Sequence, residues 1–385
     1  MKKKIAVVFT RMIVGGAEKA CINFLKAIDK SRYEVYLFTH VNGNPYIDKL
    51  PEQIILCDLD MVNPQQQLVH KLKRGRFLQV ILGIYHRAMC RFVIGGYSKL
   101  MHSQKAYLFS ETDFDCAISY TANYPNTAAT LYSVNSEKKI TFVHGDLSDE
   151  QKTIAEFYPH LCKFSHIFCV SEATNRRTKK LYQSLSSKMS VMYNAVDYQE
   201  ILLRAEEGIC QFNKTAIVTV GRLSSEKGQQ MVPQTVRILL DQGYDINWYL
   251  VGDGPLHGEV ERECEKHNVQ DHVILLGTKI NPYPYIKNCD IYVQPSFTEG
   301  YCTTTVEAKV LCKPIVTTDA PGMREQFVSG ENGLIVDAMT PEALAEGIRQ
   351  LLDHPEMCEK FTNALKNESF DNAKEMQKLY DFIES

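Results

Sequence analysis

In the stretch Ser296-Phe-Thr-Glu-Gly-Tyr-Cys-Thr-Thr-Thr-Val-Glu-Ala308, two glutamates, Glu299 and Glu307, stand eight positions apart around a short turn that leads into an apolar run. Glu299 and Gly300 read as the end of a loop and Cys302 to Leu311 as a helix, so the free amides of the first helical turn point back toward Glu299. Unpaired N–H groups and the positive end of the helix dipole welcome an anion there. Glu307, about a turn further in, is placed to accept hydrogen bonds from a pair of vicinal hydroxyls. A diphosphate held between two hydroxyl-binding carboxylates suits a sugar nucleotide.

A second loop carries the opposite charge. Gly221-Arg-Leu-Ser-Ser-Glu-Lys-Gly228 follows an apolar run and so sits at the carboxyl end of a strand, where open α/β sheets bind ligands. Arg222, a planar fork, and Lys227, a point charge, suit a diphosphate. Near the start, Gly15 and Gly16 in Arg11-Met-Ile-Val-Gly-Gly-Ala-Glu18 let the backbone approach a ligand at the opening of a helix. This is not a G-x-G-x-x-G fingerprint, which disfavours a nicotinamide oxidoreductase. His144, in Phe142-Val-His-Gly-Asp146, lies just past another strand end.

Short apolar runs alternate with segments of helical period almost throughout, the pattern of parallel sheets covered by helices. Strands are expected at Ile5 to Phe9, Glu34 to Phe38, Ile54 to Cys57, Cys116 to Ser119, Lys139 to Phe142 and His166 to Val170. A second series follows at Ala216 to Val220, Trp248 to Val251, Val273 to Leu276, Ile291 to Gln294, Ile315 to Thr318 and Leu334 to Val336. Cys21, Phe24, Leu25 and Ile28 mark the first helix by their i, i+3, i+4, i+7 spacing. Two doubly wound α/β domains are implied, 1–195 and 196–365. The final segment 366–385 carries a terminal helix whose apolar face, Phe370 to Ile383, needs a partner surface.

Charge is nearly balanced over the 385 residues, 43 basic against 46 acidic, so no polyelectrolyte signature for nucleic acid is present. The stretch 65–110 is the exception, with eight Lys or Arg and no acid. Its cations are mixed with apolar residues, which suits an element lying on an anionic membrane surface. The twelve cysteines form no C-x-x-C pairs, as expected of reduced thiols in the cytosol. No run approaches the roughly 18 apolar residues of a spanning helix.

Together these positions resemble family 4 of the retaining glycosyltransferases, the glycosyl transferases group 1. The resemblance rests on Gly221-Arg222 with Glu226-Lys227-Gly228, on Glu299-Gly300 with Glu307-Ala308, and on the linking run Asn281 to Ser296. Gly15-Gly16-Ala17-Glu18, Val170-Ser171-Glu172 and Asn194 to Asp197 add weaker support. It implies the GT-B fold, two Rossmann-like domains facing across a cleft, with the last helix returning to the first domain. It also implies roles. Arg222 and Lys227 would neutralise the diphosphate leaving group, and Glu307 would hold the ribose hydroxyls. Glu299, with the amides of Gly300, Tyr301, Cys302 and Thr303, would position the donor sugar and its phosphates. Thr278 and Lys279 would lie near the nucleobase. Gly15 and Gly16 would close on the diphosphate, and His144 would sit near the transferred sugar.

No metal and no cofactor are expected, only a nucleotide-diphosphate sugar as co-substrate. Asp58-Leu-Asp60 and Asp113-Phe-Asp115 match the D-x-D pair that holds a metal in another glycosyltransferase architecture, but such tripeptides are common. The expected function is transfer of a hexose or N-acetylhexosamine, from UDP, to a glycan acceptor that is lipid-linked, in surface polysaccharide synthesis. The expected location is cytoplasmic, peripheral on the inner face of the cell membrane. The alternatives are a GT-B-fold epimerase or phosphorylase, and a catalytically silent partner subunit.

Overall fold

A computed structural model of the chain describes residues 2–13, 15–59, 112–145, 157–208 and 211–385. The basic stretch 65–110 lies outside them. Contacts divide the chain into two units, Met1–Ala195 with Asn372–Ser385, and Val196–Asp371.

The first unit is built on seven parallel strands in the order β3-β2-β1-β4-β5-β6-β7. They are β1 (Lys3–Val8), β2 (Tyr33–Thr39), β3 (Ile54–Asp58), β4 (Phe114–Ser119), β5 (Ser136–Val143), β6 (His166–Cys169) and β7 (Met189–Val191). In β1, Ile5, Ala6, Val7 and Val8 are all fully buried. Alternate side chains feed two cores: Ile5 and Val7 join one cluster, Ala6 and Val8 another. That is why a strand covered on both faces reads as an unbroken apolar run. The three-residue β7 was not among the expected strands, since Ser190 breaks its apolar run.

The helix Gly16–Ala27 buries Cys21, Phe24 and Leu25 against the first of these cores, as its spacing predicts. The terminal helix Ala373–Glu384 adds Met376, Leu379, Tyr380 and Ile383 to the same core. Polar contacts fix its register. The Asp29 amide donates to the Tyr380 hydroxyl at 2.8 Å, the Tyr33 hydroxyl donates to Glu384 at 2.7 Å, and Lys3 pairs with Glu384 at 2.8 Å. The apolar stripe expected to begin at Phe370 begins instead at Met376. Phe370 precedes the helix and packs in the second unit. Leu379 is fully buried, so Leu379→Ala is expected to cost about 2–5 kcal/mol in urea denaturation of the first unit.

The second unit has six parallel strands in the order β10-β9-β8-β11-β12-β13: β8 (Thr215–Val220), β9 (Ile246–Val251), β10 (Val273–Gly277), β11 (Ile291–Gln294), β12 (Ile315–Thr318) and β13 (Leu334–Val336). Both units are doubly wound α/β, as expected. In the second, the strand order reverses between β8 and β11, so the loops leaving their carboxyl ends open on the switch point where such sheets bind ligands. The turn after β9 buttresses the β8 loop: a Cβ on Gly252 would meet the Gly221 carbonyl oxygen at 1.9 Å, and one on Gly254 the Leu223 carbonyl oxygen at 2.4 Å. Among the described residues, no helix is long and apolar enough to cross a membrane.

Candidate functional site

The two charged loops flank the switch point of the second unit and are docked on each other. After β8 the chain makes a tight turn, Ser225–Lys227, closed by Gly228 in the left-handed region at φ 72°. Only glycine fits there, because a Cβ would lie 2.0 Å from the Pro295 carbonyl oxygen at the start of the β11 loop. The Phe297 amide donates to the Glu226 carbonyl at 2.9 Å and completes the seam.

This docking brings Lys227 to Glu299. The ammonium donates to both carboxylate oxygens at 2.8 Å, and the Glu299 side chain is only 6% exposed. Burial works against the lysine's charge, but Glu299 more than offsets it and holds the ammonium above its ordinary range. Cys302 lies beside this pair. Burial, then the charge of Glu299, pushes its thiol up to about 11, so it stays protonated.

Behind the pair runs a buried chain of side-chain hydrogen bonds. Tyr292 donates to Gln294 Oε1 at 2.8 Å, Gln294 Nε2 donates to Ser296 at 2.9 Å, and Ser296 donates to Glu299 Oε1 at 2.7 Å. Thr304, in the first turn of the helix Thr303–Val310, donates to Gln294 Oε1 at 3.1 Å. Sequence reasoning passed over Gln294 and Ser296. The signal was present in part: Tyr292 and Gln294 alternate along the buried strand β11 and so share one face, and Ser296 follows two residues later in the loop.

Glu307 sits a turn into that helix and is 4% exposed. Its charge, with burial as the larger cause, raises the phenols of Tyr283 and Tyr292. Arg222 is exposed, and its backbone carbonyl accepts from Gln229 at 3.0 Å. Arg222 is therefore on the same loop as Lys227 without entering the pair. Gly300, Tyr301 and Thr303 are half-buried on the turn between Glu299 and the helix, whose N-cap residue, Cys302, makes no side-chain capping bond. Thr278 and Lys279 follow the edge strand β10, two strands from β8.

In the first unit, the corresponding strand ends hold His144 and Gly15. His144 Nε2 lies 2.8 Å from the Tyr120 carbonyl and must donate to it. Desolvation drops the imidazole to about 4, so the ring is neutral at physiological pH and Nδ1 is left as an acceptor. His144 is thus suited to accept a hydrogen bond from a hydroxyl and unsuited to act as a charged acid. The space over Gly15 is taken: a Cβ there would meet the Glu18 carboxylate at 2.4 Å. That carboxylate therefore fills part of the helix start that the glycines were expected to leave open.

Among the described residues, no group of His, Cys, Asp or Glu side chains is gathered to hold a metal ion, and the described aspartates of the two acidic tripeptides have backbone or side-chain donors. Asp115 accepts the Lys4 amide at 2.7 Å, Asp113 accepts from Asn135, and Asp58 accepts the Val41 amide at 3.3 Å. Asp60 lies outside the described residues.

Residues 210–368, most of the second unit, match the family model described as glycosyl transferases group 1. The second unit is thus similar to that group, and the chain is family-4-like in the motifs it carries. Its whole length superposes on HepE from Anabaena, solved in complex with UDP-glucose, at a TM-score of 0.71 and 18% identity over 99% of each chain. That likeness gives the chain the GT-B fold. Among curated relatives, it is 29% identical over 50% of its length to a Campylobacter jejuni enzyme, the N-acetylgalactosamine-N,N'-diacetylbacillosaminyl-diphospho-undecaprenol 4-alpha-N-acetylgalactosaminyltransferase, covering 51% of that protein. It is 27% identical over 35% of its length to CapM, the capsular polysaccharide biosynthesis glycosyltransferase of Staphylococcus aureus, covering 36% of that protein. These alignments span about half or less of each relative.

Proposed function

We propose that this protein is a retaining glycosyltransferase of group 1 that moves a hexose or N-acetylhexosamine from UDP to a glycan acceptor. The observation that carries the reading is the Lys227–Glu299 pair planted at the switch point of the second unit, with Arg222 on the same loop. Arg222 and Lys227 balance the growing charge on the departing diphosphate. Glu299 and the helix-start amides hold the donor sugar and phosphates, Glu307 takes the ribose hydroxyls, and Thr278 and Lys279 lie toward the base. His144 offers Nδ1 to a sugar hydroxyl.

Transfer with retention proceeds on one face of the sugar. The bond from C1 to the phosphate oxygen breaks as the acceptor oxygen bonds to C1. The acceptor's proton passes to a phosphate oxygen of the departing UDP. With the diphosphate charge met by these cations, the reaction is assigned no bound metal or cofactor.

A lipid-linked acceptor, and work at the inner face of the cell membrane in surface polysaccharide synthesis, are supported by the undecaprenol-linked acceptor in the Campylobacter relative's name and by CapM's role. The cation and apolar content of 65–110 supports the same location.

A thermal-shift series tests the donor. UDP at about a hundredfold over its Kd stabilises the native state by about 2.7 kcal/mol and raises the second unit's transition by several degrees. UMP gives a much smaller shift, because the β-phosphate is what Lys227 and Arg222 meet, and Arg222→Ala narrows the gap between the two. No shift with UDP, GDP or ADP would reject the assignment.

A further inference from the structure

Resting on this reading of the donor site, we propose that Gln294 is a positioning residue that sets the direction of the hydrogen-bond chain ending on Glu299. Gln294 and Ser296 are both fully buried. A glutamine amide has two unlike ends, a carbonyl that only accepts and an NH2 that only donates. The Tyr292 and Thr304 hydroxyls both donate to Oε1, at 2.8 and 3.1 Å. The amide is thereby oriented with Nε2 toward Ser296.

Ser296 has one proton. Because it receives Nε2–H from Gln294, that proton is directed onto Glu299 Oε1, at 2.7 Å. Glu299 then receives Ser296 on one oxygen and the Lys227 ammonium across both. Thr304 ties the chain to the first turn of the helix whose amides face the donor, so one amide couples the carboxylate's orientation to the position of the helix start. A hydrophobic side chain of the same volume at 294 would fill the space and leave Ser296 free to turn its proton elsewhere.

The substitution that isolates direction from packing is Gln294→Glu. As a neutral acid its carbonyl accepts from Tyr292 and Thr304 while its O–H donates to Ser296, reproducing the amide. Once ionised, it only accepts and competes with Glu299 for the serine proton. Burial shifts such a carboxyl upward, which places the change in a measurable range.

With UDP-sugar and acceptor, the kcat of Gln294→Glu is expected to stay within about threefold of wild type near pH 5.5. It then falls on the order of 10²-fold by about pH 8.5, relative to wild type at each pH, since loss of alignment by about an ångström costs that much. Gln294→Met loses a similar factor at every pH, with the acceptor KM unchanged. Ser296→Ala shows the same loss and Ser296→Thr recovers it. A uniform loss in Gln294→Glu at all pH values, or wild-type rates in Ser296→Ala, overturns the relay. UDP affinity by calorimetry gives a readout that needs no turnover. It is expected to fall at least about fivefold in Ser296→Ala and to return in Ser296→Thr, where a tenfold change is about 1.4 kcal/mol. A wild-type protein that binds UDP but transfers no sugar would remove the transferase reading, and the relay would still stand or fall on the affinity series.

Discussion

Lys227→Met is expected to lower turnover by about 10²–10³-fold, the usual loss when one charge-stabilising donor is removed from a transferring site. It should also destabilise the second unit, because Glu299, 6% exposed, is left without its cation. Breaking a fully buried pair costs about 3–5 kcal/mol, and the quarter-exposed lysine reduces that to about 2 kcal/mol here.

Adding Glu299→Gln separates the two effects. The neutral amide still accepts the Ser296 hydroxyl and no longer needs a counter-charge, so the double variant should recover stability to within about 1 kcal/mol of wild type. Its turnover should not recover, since neither charge remains to hold diphosphate or sugar. Urea denaturation and initial rates with a UDP-sugar read the two quantities independently. Near-normal rates in Lys227→Met, or recovery of rate in the double variant, would remove Lys227 from the diphosphate.

Gly228→Ala is expected to act through the backbone, with a comparable loss of rate and a larger loss of stability. At φ 72° an alanine is strained by about 1 kcal/mol, and its Cβ would lie 2.0 Å from the Pro295 carbonyl oxygen. The neighbour is backbone and cannot rotate away, so the loop holding Lys227 must lift off the loop holding Glu299. The total cost should reach about 3 kcal/mol or more, in the range of strained and overpacked sites. Gly277→Ala is the control. Its φ of 67° carries the same strain, but nothing lies within 4 Å of the added Cβ, so only about 1 kcal/mol is expected and turnover should hold. Equal effects in the two variants would show that docking of the loops adds nothing.

Much of the fold was legible because buried parallel strands leave a strong local trace. Ile291–Gln294, Ile315–Thr318 and Leu334–Val336 were read at their observed bounds, since each is a short apolar run between turns, and the helix Thr303–Val310 was read to within one residue at either end. β7 escaped because the polar Ser190 interrupts its apolar run, whereas the equally short Leu334–Val336 is unbroken. Phe370 was misassigned to the terminal helix because an apolar residue in register says nothing about which core receives it.

At the site, residue types alone marked Glu299, Glu307, Arg222 and Lys227 as acids and cations on loops beyond strand ends. Those are properties of composition and spacing, which a sequence states outright. That Lys227 and Glu299 pair while Arg222 stands outside, that Glu18 covers Gly15, and that Gln294 and Ser296 stand behind Glu299 were decided by tertiary structure. These depend on the order of strands in a sheet and on contacts between positions up to 72 residues apart. Such contacts form only when the core aligns the strands, and spacing along the chain carries no record of them.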